Sequence, residues 1–442
     1  MKKQTLLIVA IWMLSGCSAD GPERKDIAAD ITKRTGYALP ESTKIGEITL
    51  PPGTTIEDGV TEDEAVSIAL WNNAKFQETL VNLDIARGDL IQAGLLPNPI
   101  GSYSFQVADK PLKYAFELPL EALWLRPIKI DAAEADAERV AHQLSQAGLD
   151  LIRDTRKAYG DIRQTEAQYG VAKESLEICS RIAELSQKRL QSGDISAYEA
   201  DAARLDRLTA EQNTVRLEHE KRVAEERLRH VMGIGAYASG LKIDSAPPPQ
   251  CREMNVKTIV EEAQHTRPDA LAAVEAIKAT KSRGHLADFG WLGITGIADA
   301  TSGRDTGHEL GPAIKGTLPV LNQNQGNRTR ADAQTEQALR NQQTVAQQIL
   351  LEVSQAYAQY HQACAELSIL HSQVKKDAEK NVSRTQKAYS QGDIPYLMVL
   401  ESTRMLTDAK MRETQLIGDV RRATAELERS IGRKIAALKE NL

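Results

Sequence analysis

The sequence predicts a mainly α-helical protein with a small membrane β part, each chain holding two repeats of strand–strand–long helix–turn–helix. Three observations carry this. Gly-Asp-Ile occurs in "QSGDIS" at Gly193-Asp194 and again in "SQGDIP" at Gly392-Asp393, each time interrupting what otherwise reads as one very long helix. Upstream of the first turn, small or apolar residues recur every seventh position. Before each long helix lies a pair of short runs in which apolar and polar residues alternate.

The composition agrees. Hydrophobic residues make up 41% but aromatics only 4%, so the apolar content is largely aliphatic, which favours long helices over one large globular core. The net charge is −6. With no basic stripe and no aromatic stacking platform, nothing points to a nucleic-acid partner.

At the N-terminus, Lys2 and Lys3 precede the apolar stretch Leu6 to Leu14 and then "LSGC". The stretch is far shorter than the roughly 20 residues of a spanning helix, so residues 1–16 read as a signal peptide. The ending in Cys17 resembles a bacterial lipobox, which implies cleavage before Cys17 and its lipidation. Ser18 in the next position, where Asp would mark inner-membrane retention, implies the outer membrane. Residues 17–60 then read as a lipid anchor and an irregular N-terminal tether.

The first repeat spans 61–233. Thr61 and Glu64 form a capping box, opening a helix that runs to about Leu95 and stops at "LLPNP". In "GSYSFQV", Tyr103, Phe105 and Val107 alternate with Ser102, Ser104 and Gln106. In "LKYAFEL", Leu112, Tyr114, Phe116 and Leu118 alternate with Lys113, Ala115 and Glu117. Period two on both runs predicts a hairpin at about 101–118 with one greasy face.

From about Pro127 to Ser192 no further proline occurs, so a helix of roughly 100 Å is expected. One seven-residue series runs Ala137, Leu144, Leu151, Ala158, Thr165, Ala172, Cys179, and a second runs from Ala141 to Leu190. This period means side-by-side helix packing. The chain turns at 193–194 and returns to Met232 and Gly233. Residues 234–256 form a less regular equatorial linker. The second repeat, 257–442, follows the same order: a helix from "RPDA", a hairpin at about 291–318, a helix from about Asn327 to Gln391, the turn at 392–393, and a return helix to Ile431-Gly432.

Beyond Cys17 the cysteines are Cys179, Cys251 and Cys364, an odd number that cannot all pair in one chain. Superposing the repeats on their turns separates Cys179 from Cys364 by roughly 20 Å along the helix axis, too far for a disulfide. Free, buried thiols are expected. His361 and Cys364 stand at i, i+3, with His371 further on, but such a pair on a packed helix reads better as core and surface than as metal ligands. No His-Glu-x-x-His, phosphate loop or Gly-x-Ser-x-Gly occurs, so no enzyme, cofactor or metal is expected.

Four strands cannot close a barrel, and open edges cannot sit in lipid. Small membrane barrels need at least about 8 strands; three copies of this chain supply twelve. The expected assembly is therefore a homotrimer with a 12-stranded β-barrel and a long α-helical barrel, a passive conduit.

In the order and spacing of "AGLLPNPI", "RPDA", "GPAIKGTLPVLNQNQGNRTRADAQ", "KRLQSGDIS" and "KAYSQGDIP", the chain resembles the TolC-type outer-membrane factors over essentially its whole mature length. The resemblance implies an outer-membrane exit duct of a tripartite efflux system, working with a periplasmic adaptor and an inner-membrane pump. It places adaptor contacts at the tips, at Gly193, Asp194, Gly392 and Asp393. It assigns a pore gate to Tyr389, its acidic partner Glu199, and Glu401 of a lumenal acidic ring. Met398 and Ile394 depart from that pattern. "LPVLNQNQGN" is similar to a segment of heavy-metal efflux ducts, favouring export of small molecules or metal cations. The alternatives are a poreless structural periplasmic coiled-coil lipoprotein and a duct for type I protein secretion.

Overall fold

The computed structural model describes residues 21–40, 43–56, 58–105, 112–235, 241–244, 249–303, 307–391 and 393–437. The signal peptide and Cys17, the first hairpin's tip with Gln106 and Val107, and Gly392 lie outside them. The helices are α1 (Arg24–Thr35), α2 (Glu62–Asn72), α3 (Ala74–Gly94), α4 (Glu121–Gln191), α5 (Ala197–Met232), α6 (Val256–Thr266), α7 (Pro268–Phe289), α8 (Gln325–Ile369), α9 (Lys375–Gln391) and α10 (Tyr396–Ile431). The strands are β1 (Ile100–Ser104), β2 (Leu112–Pro119), β3 (Ile294–Gly303) and β4 (Gly307–Gly316). Two compact units form. One comprises Met1–Ile27, Thr79–Gln146 and His265–Gln348; the other comprises Ala28–Glu78, Ala147–Gln264 and Ile349–Leu442.

The first unit holds both hairpins, joined as one antiparallel sheet in the order β1-β2-β3-β4. Period two and the register decide its faces. Tyr103 pairs with Tyr114, Tyr114 with Ala300 and Ala300 with Leu310, while Phe116 pairs with Ala298 and Ala298 with Pro312. One face is therefore apolar, and Tyr103 makes edge contacts with Phe105 and Tyr114. The alternate positions hold Lys113, Glu117, Asp299, Glu309 and Lys315. Glu121 accepts from the Ile294 amide at 3.1 Å, fixing the start of β3 to the start of α4. Arg126 reaches back to the Gly94 carbonyl at 2.7 Å. "RPDA" starts α7 with Pro268 at its N-terminus, and the fully buried Arg267 forks onto the Asp269 carboxylate.

In the second unit α4 and α8 carry the seven-residue seams, and α5 and α10 return beside them. Both returns end in the same way. Gly233 (φ +72°) and Gly432 (φ +85°) take the left-handed conformation, and the following amide bonds back to the carbonyl five residues earlier, a motif that glycine suits because it has no Cβ.

Four expectations need correction. The tether is not irregular throughout: α1 forms within it, and Ile31 is fully buried against Gly148, where even a Cβ would meet the Ile31 side chain. The helix expected from Thr61 to Leu95 breaks at Asn73, whose side chain caps α3 through the Phe76 amide at 2.9 Å and donates to the Val231 carbonyl at 2.8 Å. The first long helix begins at Glu121 and takes Pro127 within its second turn, past the first turn whose amides have no helical partner, so the Leu123 carbonyl goes without its i→i−4 bond there. Finally, Cys251 and Cys364 form a disulfide, leaving Cys179 as the free thiol among the described residues. The repeat superposition compared only Cys179 with Cys364; Cys251 sits in the linker, which has no counterpart in the repeat, so helix register said nothing of it. Cys364 is thereby removed as a metal ligand, and among the described residues no group of three or more His, Cys, Asp and Glu side chains could hold a metal.

A buried ionic node ties the N-terminal segment into the second unit. Arg156 pairs with Glu428 and donates to the Tyr37 hydroxyl at 3.0 Å, and that hydroxyl donates to Asp63. Glu62 lies 3.6 Å from Arg156 and 3.5 Å from Arg421. Val60 bridges to Ile243 of the linker, with the Tyr159 hydroxyl 3.1 Å from the carbonyl oxygens of Val60 and Asp244.

Candidate functional site at the helical tips

The tips are built twice from one local rule. Gly193 ends α4 with φ +80°; its amide bonds to the Leu190 carbonyl at 3.0 Å and the Asp194 amide to Arg189 at 2.9 Å. At the second tip the Asp393 amide bonds to Ala388 at 3.0 Å, the corresponding position. Each return helix then starts from an extended residue. Ser196 caps α5 by accepting from the Glu199 amide at 3.3 Å, and Pro395 pre-sets the backbone before α10. The second residue of each return helix is large, apolar and exposed: Tyr198 in α5 and Leu397 in α10.

Among the described residues no hydrogen bond or ion pair joins the gate residues expected from the resemblance to one another. Tyr389, near the end of α9, accepts from Arg189 at 2.6 Å, and the guanidinium lies 5.1 Å from its ring centroid. Tyr396 packs on the same ring, with centroids 6.2 Å apart. Burial first, then the nearby Asp206 and Cys179, hold the Tyr396 phenol above its ordinary range. Glu199 and Glu401 are exposed, and among the described residues neither carboxylate has a hydrogen bond or ion pair. Arg189 is thus the tip residue that sequence reading missed. Its signal was a basic residue in the last turn of α4, where a cation suits the helix terminus; nothing local shows that it faces Tyr389, 200 residues on.

Along the shaft, charges link the two helix pairs. Lys410 meets Glu174 at 2.6 Å, Arg422 meets Asp161 at 2.6 Å, and Lys157 pairs with Glu426. An elongated cleft of about 630 Å³ runs between Gln355, Gln359, Gln362 and Arg412, Asp419, Arg422. Its lining mixes these amides and charges with Ala356, Ala363, Leu416 and Ala423 and holds no nucleophile–base pair.

An apolar-faced four-stranded sheet with open edges, together with paired long helices closed by twin turns, defines a subunit of an outer-membrane channel. The chain belongs to the outer membrane efflux protein family, whose model matches residues 114–234 and 262–433. It is 24% identical over 395 residues to the cobalt-zinc-cadmium resistance protein CzcC of Cupriavidus metallidurans, spanning 85% of this chain and 90% of that protein. Among solved structures, CusC shares the fold with a TM-score of 0.72 at 16% identity, over 90% of this chain and 99% of that one. The outer-membrane channel OprN gives 0.72 at 16% identity over 94% and 99%. VceC of Vibrio cholerae gives 0.69 at 17% identity over 84% and 96%. Among the described residues no helix is long and apolar enough to cross a membrane.

Proposed function

We propose that three copies of this chain form a passive duct that exports divalent metal cations through the outer membrane. In this reading a periplasmic adaptor fed by an inner-membrane pump docks at the tips. The four-stranded sheet carries the proposal. Its β1 and β4 edges are unpaired and one face is apolar, a combination stable in lipid only when further strands close the ring. Three copies give twelve strands, within the range of membrane barrels. The likeness to CzcC supports a metal-cation cargo. The lipobox supports an anchor at Cys17, and Tyr198 and Leu397 supply apolar contacts beside Gly193, Asp194, Gly392 and Asp393 for the adaptor. Residues 61–233 and 257–442 act as the two repeats about the 234–256 linker. Tyr389, Glu199 and Glu401 act at the gate, with Arg189 as the tyrosine's partner in the chain. No catalytic step belongs to this reading.

The test is reconstitution. The detergent-extracted protein should run as a heat-labile trimer and conduct ions across planar bilayers, and its deletion should lower resistance to cobalt, zinc or cadmium. A monomer that never conducts defeats the duct; a conducting trimer without the resistance phenotype defeats only the cargo.

A further inference from the structure

The long helix of the second repeat contains a single π turn, Leu370–Val374, between α8 and α9. Its counterpart α4 runs from Glu121 to Gln191 without one. The buried seam explains the difference. Above the turn, Ile349, Val353, Ala356, Tyr360, Ala363, Leu367 and Leu370 are buried in alternating steps of four and three. Below it the seam resumes at Lys375, Ala378, Val382, Thr385 and Tyr389. The step from Leu370 to Lys375 is five, and residues 371–374 are all exposed. The second repeat therefore carries one residue more than the seam allows. In a regular helix that residue would turn everything below it by about 100°; a π turn absorbs it. The Lys375 amide bonds to the Leu370 carbonyl, five residues back.

This turn has a fastening. Glu413 of α10, largely buried, accepts from His371 Nε2 at 2.7 Å, inside the turn, and from Lys375 Nζ at 2.8 Å, the first residue past it. Arg163 and Arg421 line the same recess. Above the turn the helix is held twice, by the cluster Ala363, Leu367, Leu370, Leu416 and Val420 and by the Cys251–Cys364 disulfide.

We propose that the π turn is a rotary joint latched by Glu413, so that the part of α9 next to it can turn about the helix axis while α8 stays fixed. A π turn moves along a helix by exchanging i→i−5 for i→i−4 bonds one residue at a time, and each residue it passes turns by about 100° without unfolding. The inference rests on helix register alone and stands whatever the duct carries.

Hydrogen exchange by mass spectrometry on the full-length, detergent-solubilised protein tests it. Glu413→Gln is expected to speed exchange across 371–391 by about tenfold or more while 349–364 keeps its wild-type protection. Deleting Ser372 restores a continuous four-three seam, and is expected to slow exchange in the same segment without lowering the melting temperature. Unchanged exchange in Glu413→Gln, or acceleration spread evenly over 349–391, overturns the joint. So does a Ser372 deletion that unfolds or exchanges like wild type.

Discussion

Arg189 donates a 2.6 Å hydrogen bond to the Tyr389 hydroxyl and places its guanidinium 5.1 Å from the same ring, joining the last turn of α4 to the last turn of α9. The partner expected for Tyr389 was the carboxylate of Glu199. A cation serves the same hydroxyl in the opposite hydrogen-bond sense, with the phenol as acceptor. If this contact holds the two tips together, Arg189→Ala or Tyr389→Phe should favour the open state. The contact is partly exposed, so its loss is expected to cost about 1 kcal/mol and shift the balance about fivefold. Single-channel open probability measures this, and an unchanged open probability in both variants removes the contact from the gate.

The disulfide closes a loop of 113 residues between the linker and α8. Constraining that much unfolded chain stabilises by about 4–5 kcal/mol in the chain-entropy model. Cys364→Ser, or wild type under reductant, should therefore denature at clearly lower denaturant concentration. Cys179→Ser should leave the midpoint in place. Equal midpoints with and without reductant contradict the cross-link.

Two glycines with similar φ should respond differently. At Gly233 an added Cβ would stand 2.1 Å from the Asn72 carbonyl oxygen, whereas at Gly193 nothing lies within 4 Å. Gly193→Ala bears only the left-handed backbone penalty, about 1–2 kcal/mol. Gly233→Ala adds a backbone clash and should reach about 3 kcal/mol or more. Parallel thermal melts of the two variants decide the order.

Alkaline pH should loosen the second unit. Burial pushes the Tyr159 phenol up to about 12 and holds Tyr37 well above its ordinary range, whereas an unfolded tyrosine ionises near about 10. Between these values the unfolded chain binds fewer protons than the folded one, so stability is intact below pH ~10 and falls as pH rises towards ~12. Denaturation midpoints followed through that window should decline, and Tyr159→Phe should flatten the decline.

Periodicity made the repeat, the sheet faces and the tip turns legible, because each is set by residues close in sequence. Alternation in "LKYAFEL" fixes which side chains share a face, and glycine at position 193 fits the left-handed turn. The capping box at Thr61 and Glu64 is likewise local, and both of its bonds form.

Other features depend on which distant segments meet. The break at Asn73 arises where Gly233 packs against Asn72 and Asn73 reaches Val231; its one local signal, an asparagine able to cap the next helix, is indistinct within an otherwise helical run. Cys251 meets Cys364 only because the linker crosses α8. Superposing Gly-Asp-Ile on Gly-Asp-Ile aligned the tips but left the seam above Leu370 one residue out of step, a mismatch that burial alone displays. The sequence by itself determined the period, the duplication and the turns, since these need only the short-range geometry of one helix or strand. The tertiary structure decided the Arg189–Tyr389 contact, the disulfide and the π turn, because each depends on the rotation at which two helices or segments come into contact.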